Sequence, residues 1–133
     1  MKKLLIASLL LLGTVASGLS QGRQVKVIAL MNKASWCPVC QDHGMHFMQK
    51  IAPMVMKNPE VKMLVNDLSN DQTRASSMEM LKEAGITQFA EENDATGRIY
   101  FIDARTKKLL STVSIAQSDR EIMKAYKEAL SKA

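Results

Sequence analysis

The sequence predicts one α/β domain, in which a central mixed sheet is flanked by helices in the order β-α-β-α-β-β-α. Short β-rich runs alternate with stretches of helical periodicity, which favours parallel strands joined through helices. The last two runs lie close together across a short polar turn, as in an antiparallel hairpin. The chain has 133 residues and neither a repeat nor a low-complexity tract. A single hydrophobic core is therefore expected.

The first strand and the first helix are predicted from the segment after the N-terminal region. Residues 25–31 form an apolar, β-rich run. A helix is expected to begin around Cys37, because the proline that follows is well tolerated in a first helical turn. Pro53 should kink or end this helix, and the Asn-Pro pair at 58–59 ends it in any case. The positions expected to face the core repeat at helical spacing: Cys40, Gly44, Phe47, Met48, Ile51 and Val55.

The middle of the chain is predicted to contain a strand, a helix and a loop. Residues 61–65 form the strand candidate, and the helix runs from about Asp71 to Ala84. Gly85 is the candidate for its C-terminal cap. Residues 87–97 lack clear periodicity, so we expect a long loop there.

The last third is predicted to form the hairpin and a closing helix. Its strands are residues 98–103 and 108–115. Ser118 and Glu121 match a capping box, in which both side chains bond to backbone N–H groups at the start of a helix. The inner stripe of this helix is Ile122, Tyr126 and Ala129, flanked by Met123 and Leu130.

Residues 1–20 have the pattern of a secretory signal peptide. Two lysines precede an apolar run from Leu4 to Leu12, and small residues follow it. The run is about half of the ~20 residues that span a bilayer. Cleavage is therefore favoured over retention as an anchor, and residues 21–133 would form the mature domain. The compact signal favours a bacterial periplasmic or secreted protein.

The charge balance argues against nucleic acid as a partner. The formal net charge is +5, and two of the basic residues are the lysines of the signal. Without them, 16 basic side chains face 13 acidic ones, which leaves +3. This excess is small and is not clustered as in a nucleic-acid-binding surface.

The two cysteines are the strongest functional feature. Cys37 and Cys40 lie three residues apart, directly after Trp36. Closing a loop of about four residues stabilises a fold by roughly 2 kcal/mol, against roughly 4.7 for a 100-residue loop. Close spacing instead suits thiol–disulfide exchange, in which one thiolate attacks a partner and the other resolves the mixed disulfide. Export would let a disulfide persist. The alternative is an incidental disulfide or a buried pair of thiols.

The Trp-Cys-Pro-Val-Cys segment at 36–40, with the closing hairpin and helix, resembles the thioredoxin-like family over nearly the whole mature chain. The resemblance implies that Cys37 is an exposed nucleophile and Cys40 a more buried resolving cysteine. Physical chemistry independently favours the thiolate at Cys37, because the positive end of the helix dipole lies there. The residues expected to contact substrates are Trp36, Pro38, Val39, Thr96 and Gly97.

Two positions depart from the family pattern. Thioredoxin-like proteins carry a cis-proline facing the cysteine pair, and Gly97 aligns with it here. Cytosolic thioredoxins place a buried acid six residues before the first cysteine, where this chain has Met31. Gly97 is therefore expected to weaken substrate alignment and to leave room for a soft metal. With Met31 in place of that acid, the usual transfer of protons to and from the buried cysteine is in doubt.

The leading hypothesis is a monomeric periplasmic thiol–disulfide oxidoreductase that needs no bound cofactor and no metal. Its partners would be protein or small-molecule thiols and a redox partner that could be membrane-bound. One alternative is a soft-metal carrier for copper, using Cys37 and Cys40 with nearby histidines and methionines. Thiolate, imidazole and thioether suit Cu(I), and His43, Met45, His46 and Met48 follow the pair. The other alternative is a thioredoxin-like binding module with poor turnover.

Overall fold

The computed structural model of the protein describes residues 23–133, so the predicted signal peptide lies outside the described residues. In chain order the elements are β1 (Val27–Lys33), α1 (Pro38–His46), a π-helical turn (Phe47–Ile51), α2 (Ala52–Met56), β2 (Val61–Asp67), α3 (Asp71–Glu83), α4 (Thr87–Glu92), β3 (Arg98–Asp103), β4 (Leu109–Ser114) and α5 (Asp119–Lys132). Over this range no helix combines the length and the apolar character that a bilayer crossing requires.

The four strands form one mixed sheet in the order β2-β1-β3-β4. β1 pairs with β2 in parallel, with Val27 opposite Val61. β3 is antiparallel to both β1 and β4. The parallel opening pair and the antiparallel hairpin are the ones that the sequence predicts. This topology, with α1 leaving the carboxyl end of β1, confirms the expected thioredoxin-like fold.

Helices cover both faces of the sheet, so β1 is buried on both sides. Along β1, alternate side chains point to opposite faces. One core contains Val27, Ala29 and Met31 together with buried residues of the first helical run and of α5. The other contains Ile28 and Leu30 with residues of α3 and α4. Burial on two faces explains why β1 is a continuous apolar run rather than an alternating one.

The first helix is continuous to Met56, but a π-helical turn interrupts its regular hydrogen bonding. The Ala52 N–H donates to the carbonyl of Phe47, five residues earlier. Pro53 follows directly, in the first turn of α2, where its missing N–H is tolerated. The predicted distortion at Pro53 therefore takes the form of a widened turn, and the helix ends ahead of the Asn-Pro pair at 58–59.

Met48 does not belong to the core stripe, and this prediction is wrong. Its side chain is 48% exposed, whereas Phe47, Ile51 and Val55 are buried. Phe47 and Ile51 are the buried residues of the π-helical turn, and they pack in the core together with Val55. Met48 is therefore turned to the solvent-facing side.

The region predicted as a long loop contains a short helix, α4. Phe89 and Ala90 pack onto the α3 side of the sheet, and the Phe89 ring contacts Tyr100 edge-on, with ring centroids 5.7 Å apart. The Asn93 side-chain amide donates to the Phe89 carbonyl at 2.9 Å and closes the last turn. Six residues are too few to show helical periodicity in the sequence.

The predicted ends of two helices are confirmed. Ser118 and Glu121 form the capping box at the start of α5. Gly85 has φ +69°, the left-handed conformation expected of a residue that ends α3. The core-facing side of α5 is the predicted one, with Ile122, Tyr126 and Ala129 buried.

Candidate redox site

The cysteine pair lies at the N-terminus of α1 and is disulfide-bonded. Cys37 is the N-cap residue, and its Sγ accepts a hydrogen bond from the Cys40 backbone N–H at 3.2 Å. Pro38 occupies the first turn, where its missing N–H costs nothing. The helix dipole and this donor both favour negative charge on Cys37 Sγ once the disulfide opens.

The expected difference in exposure between the two cysteines is wrong. Cys37 is only 2% exposed, and Cys40 is half-buried. The segment that leads into β3 faces Cys37 and contributes to its burial. A Cβ placed on Gly97 would be 3.5 Å from Cys37 Sγ, an ordinary van der Waals distance.

Gly97 faces the pair, as its alignment with the cis-proline position predicts. Its φ is +72°, and no peptide bond in residues 23–133 is cis. Its N–H donates to the Asn32 carbonyl at 2.8 Å. A Cβ on Gly97 would lie 2.7 Å from Val39 Cγ1. Proline has no N–H and requires a negative φ, so this position excludes proline.

A buried asparagine fixes the covering segment to the sheet. The Asn32 side chain is fully buried. Its amide donates to the Asn93 carbonyl at 2.7 Å and its oxygen accepts from the Asn66 amide at 3.0 Å. Together with the bond from Gly97, this ties residues 93–97 to β1. Sequence reasoning missed Asn32, although a lone asparagine ending an apolar strand was a visible signal.

The other expected contact residues surround the pair unevenly. Trp36 is 57% exposed and presents apolar surface to solvent. Pro38 is exposed, while Val39 and Thr96 are half-buried. A Cβ at Gly97 would meet both Val39 and the Cys37 sulfur, so Val39 and Gly97 lie close together beside Cys37.

Two surface grooves reach Cys40. The first, which we call the methionine groove, has a volume of about 310 Å³ and is lined by Cys40 with Met31, Lys33, Gly44, Met45, Met48 and Val65. The second, the polar groove, has a volume of about 290 Å³ and is lined by Cys40 with Lys33, Ala34, Ser35, Gln41, Asp67 and Ser69. Access to the disulfide is therefore from the Cys40 side.

The charges in the polar groove are paired. Lys33 Nζ lies 3.3 Å from Asp67 Oδ2. Burial by itself raises the pKa of Asp67, but hydrogen bonds from Ser69 and from Lys33 outweigh burial and hold that pKa below its ordinary value. Asp67 is therefore ionised at neutral pH and is a weak base. It does not replace the acid that is missing at Met31, which is itself buried in the core.

The histidines and acidic groups near the pair do not form a metal cluster. His46 Nε2 lies 2.7 Å from Asp119 Oδ1 of α5, and both side chains are about half exposed. Within residues 23–133, no three His, Cys, Asp or Glu side chains are grouped so that they could hold a metal ion. Three methionines, Met31, Met45 and Met48, nevertheless line the same groove as Cys40.

Comparison with known proteins gives only remote structural similarity. No family model and no curated protein matches the chain. Trxlp from Edwardsiella tarda is similar at 12% identity and TM-score 0.47, covering 78% of this chain and 84% of that one. A putative protein disulfide isomerase from Bacteroides thetaiotaomicron is similar at 21% identity and TM-score 0.49, covering 78% and 72%. A secreted Mycobacterium tuberculosis disulfide oxidoreductase is similar at 18% identity and TM-score 0.47, covering 81% and 83%.

Proposed function

We propose that this protein is a thiol–disulfide oxidoreductase that exchanges disulfides with protein or small-molecule thiols through Cys37 and Cys40. The observation that carries the proposal is the placement of the pair. It forms a disulfide at the N-terminus of a helix in a thioredoxin-like fold, and one sulfur accepts a backbone N–H. Such surroundings stabilise a thiolate, which is the reactive form and the good leaving group in exchange.

The chemistry needs only the two cysteines and a thiol partner. A partner thiolate attacks one sulfur of the disulfide, the S–S bond breaks, and the other cysteine leaves as a thiolate. A second partner thiolate then attacks the partner sulfur of the mixed disulfide and releases the first cysteine. Two electrons pass from the partner dithiol to the protein, and a partner disulfide is formed. The reverse sequence reduces a partner.

We further propose that the protein acts outside the cytoplasm, in the periplasm or after secretion. The basic, apolar and small-residue regions in residues 1–20 support export, and an oxidising compartment suits a redox-active disulfide. The expected partners are protein thiols and a membrane-bound or soluble redox protein. Fractionation of cells that express the full chain tests this location, with N-terminal sequencing of the exported protein to find the cleavage site.

The activity is tested by two measurements on oxidised protein. Dithiothreitol should reduce the Cys37–Cys40 pair rapidly, and the pair should equilibrate with a glutathione buffer to give a defined reduction potential. The single variants Cys37→Ser and Cys40→Ser should lose turnover completely. Undiminished turnover in either variant would refute a mechanism that uses both sulfurs.

The three methionines that line the groove with Cys40 favour a copper carrier as the second candidate function. Reduced protein would then bind one Cu(I) ion through Cys37, Cys40 and the groove methionines. Titration of reduced protein with Cu(I) under a competing chelator distinguishes the two functions. Tight 1:1 binding that is lost in Cys37→Ser, combined with negligible disulfide exchange, would replace the oxidoreductase with a carrier.

A further inference from the structure

We propose that Cys40 is the sulfur that partner thiols attack, and that the methionine groove binds an apolar side chain of the partner beside its reacting cysteine. This inference rests on the proposed function and names its substrate class. That class is an extended protein segment with a large apolar residue near a cysteine.

Accessibility is the first reason to place the attack at Cys40. Cys37 is 2% exposed and Gly97 faces its sulfur, so the disulfide form offers an incoming thiolate very little surface at Cys37. Cys40 forms part of the wall of two open grooves. A partner thiolate that enters either groove meets Cys40 first.

The leaving group is the second reason. When a thiolate attacks Cys40 Sγ, a new S–S bond joins the partner to Cys40, and the Cys37–Cys40 bond breaks. Cys37 then takes the electron pair as a thiolate. Exchange is faster when the departing thiol has the lower pKa. Cys37 is the cysteine at the helix N-terminus, and its Sγ accepts the Cys40 N–H. The helix N-terminus and this N–H donor thus favour Cys37 as the leaving group, and Cys40 as the sulfur that is attacked.

The shape and chemistry of the groove define the occupant. Five of the residues that line it with Cys40 are apolar or glycine, and the sixth, Lys33, is paired with Asp67. The groove therefore presents no unpaired charge to a ligand. Its volume of about 310 Å³ is at the lower end of small-molecule sites, so it suits one large side chain rather than a helix.

Methionine side chains suit a groove that receives different partners. Met45 is 72% exposed and Met48 is 48% exposed. Their unbranched thioethers can repack around leucine, isoleucine, phenylalanine or methionine. In an extended segment, residues two positions apart point to the same side, about 7 Å from each other. The groove side chain should thus come from the residue two positions from the partner cysteine.

Two capped peptides test this directly: Leu-Ser-Cys-Ser-Leu and Ser-Ser-Cys-Ser-Ser. Their cysteines have identical neighbours, so their thiol pKa values are matched. The measured quantity is the rate at which each peptide opens the disulfide of the oxidised protein, followed by acid quenching and mass spectrometry. We expect the leucine peptide to react about tenfold faster, because part of its apolar side chain is buried in the groove.

Substitutions in the protein test whether the methionine groove is the origin of the preference for the leucine peptide. Met45→Gln combined with Met48→Gln should bring the rate ratio of the two peptides close to one. Met54→Gln combined with Met56→Gln is the matched control, because these methionines are also exposed but lie outside the groove. It should keep the tenfold ratio. Gly44→Leu should also remove the preference, since a side chain at Gly44 enters open space at the groove wall.

The outcomes separate this inference from the proposed function. If dithiothreitol fails to reduce the oxidised wild-type protein, the proposed function fails and this inference with it. If dithiothreitol reduces the protein readily but both peptides react at equal rates, only the groove inference fails. A preference that survives both the Met45/Met48 and the Gly44 substitutions would likewise place the partner elsewhere.

Discussion

The two sulfurs of one disulfide have opposite surroundings. Cys37 lies at the helix N-terminus, under Gly97, and is almost completely buried. Cys40 is one helical turn further along and forms part of the wall of two grooves. The fold thus gives Cys37 an environment that stabilises a thiolate, and it leaves Cys40 accessible to partner thiols. A resemblance that assigns both properties to the first cysteine predicts the pair correctly and its exposure incorrectly.

The largest expected effect comes from substitutions at Gly97, in the segment that faces Cys37. Gly97→Pro should destabilise the fold by about 3 kcal/mol or more, because it removes an N–H bonded to Asn32 and cannot adopt φ +72°. Gly97→Ala should cost about 1–3 kcal/mol, since its Cβ would lie 2.7 Å from Val39 Cγ1. Urea denaturation measures both.

Gly44→Ala is the matched control for these substitutions. A Cβ at Gly44 meets no atom within 4 Å, and the position is in the interior of α1. It should stabilise the protein by about 0.5–1 kcal/mol. Gly97→Ala with wild-type stability would show that the segment moves freely away from Cys37.

The next largest effect is expected at Asn32, which bonds the segment beside Cys37 (residues 93–97) to β1. Asn32→Ala should cost about 2 kcal/mol, because the Asn93 carbonyl and the Asn66 amide both lose their partner. In reduced protein it should also speed iodoacetamide labelling of Cys37. Asn58→Ala also removes two side-chain bonds, one donated to the Tyr126 hydroxyl and one accepted from the Glu60 N–H, and should leave that labelling rate unchanged. Equal acceleration by both would mean that general loosening, rather than the segment beside Cys37, controls access.

Reduction of the disulfide should have a smaller effect on stability. The loop closed by Cys37 and Cys40 is about four residues long, so the crosslink contributes no more than about 2 kcal/mol. Thermal unfolding of oxidised and reduced protein should therefore differ modestly, in either direction. If the reduced domain were unfolded at room temperature, the pair would be a structural staple and the redox proposal would lose its main support.

The smallest effect concerns the polar groove on the Cys40 side. The pKa of Asp67 is lowered in the folded protein, so its carboxylate adds stability that is fully present above the ordinary pKa of the unfolded chain. This stability is lost as pH falls through the lower folded pKa. Asp67→Asn should cost about 1 kcal/mol at pH 7. The difference from wild type should vanish at acidic pH in denaturation measured from pH 7 to pH 2. A constant difference would exclude the charge as its origin.

Much of the fold could be predicted because its signals are local. The strands, the cap at Ser118 and the glycine at 85 each follow from a few neighbouring residues. The π-helical turn and α4 could not be predicted, since both depend on how short segments pack against the sheet. At the site, the sequence predicts the cysteine pair and the approach of Gly97. Which cysteine is covered depends on Asn32 and residues 93–97, which are distant in sequence and meet only in the folded chain.

The central claim is that partner thiols attack Cys40 and that Cys37 leaves as the thiolate. It is tested most directly by mapping the first product of the reaction between oxidised protein and a monothiol such as the leucine peptide. Rapid trapping with N-ethylmaleimide, followed by peptide mass spectrometry, locates both the adduct and the freed thiol. We predict the peptide on Cys40 and maleimide on Cys37. The peptide on Cys37 with maleimide on Cys40 would contradict the account.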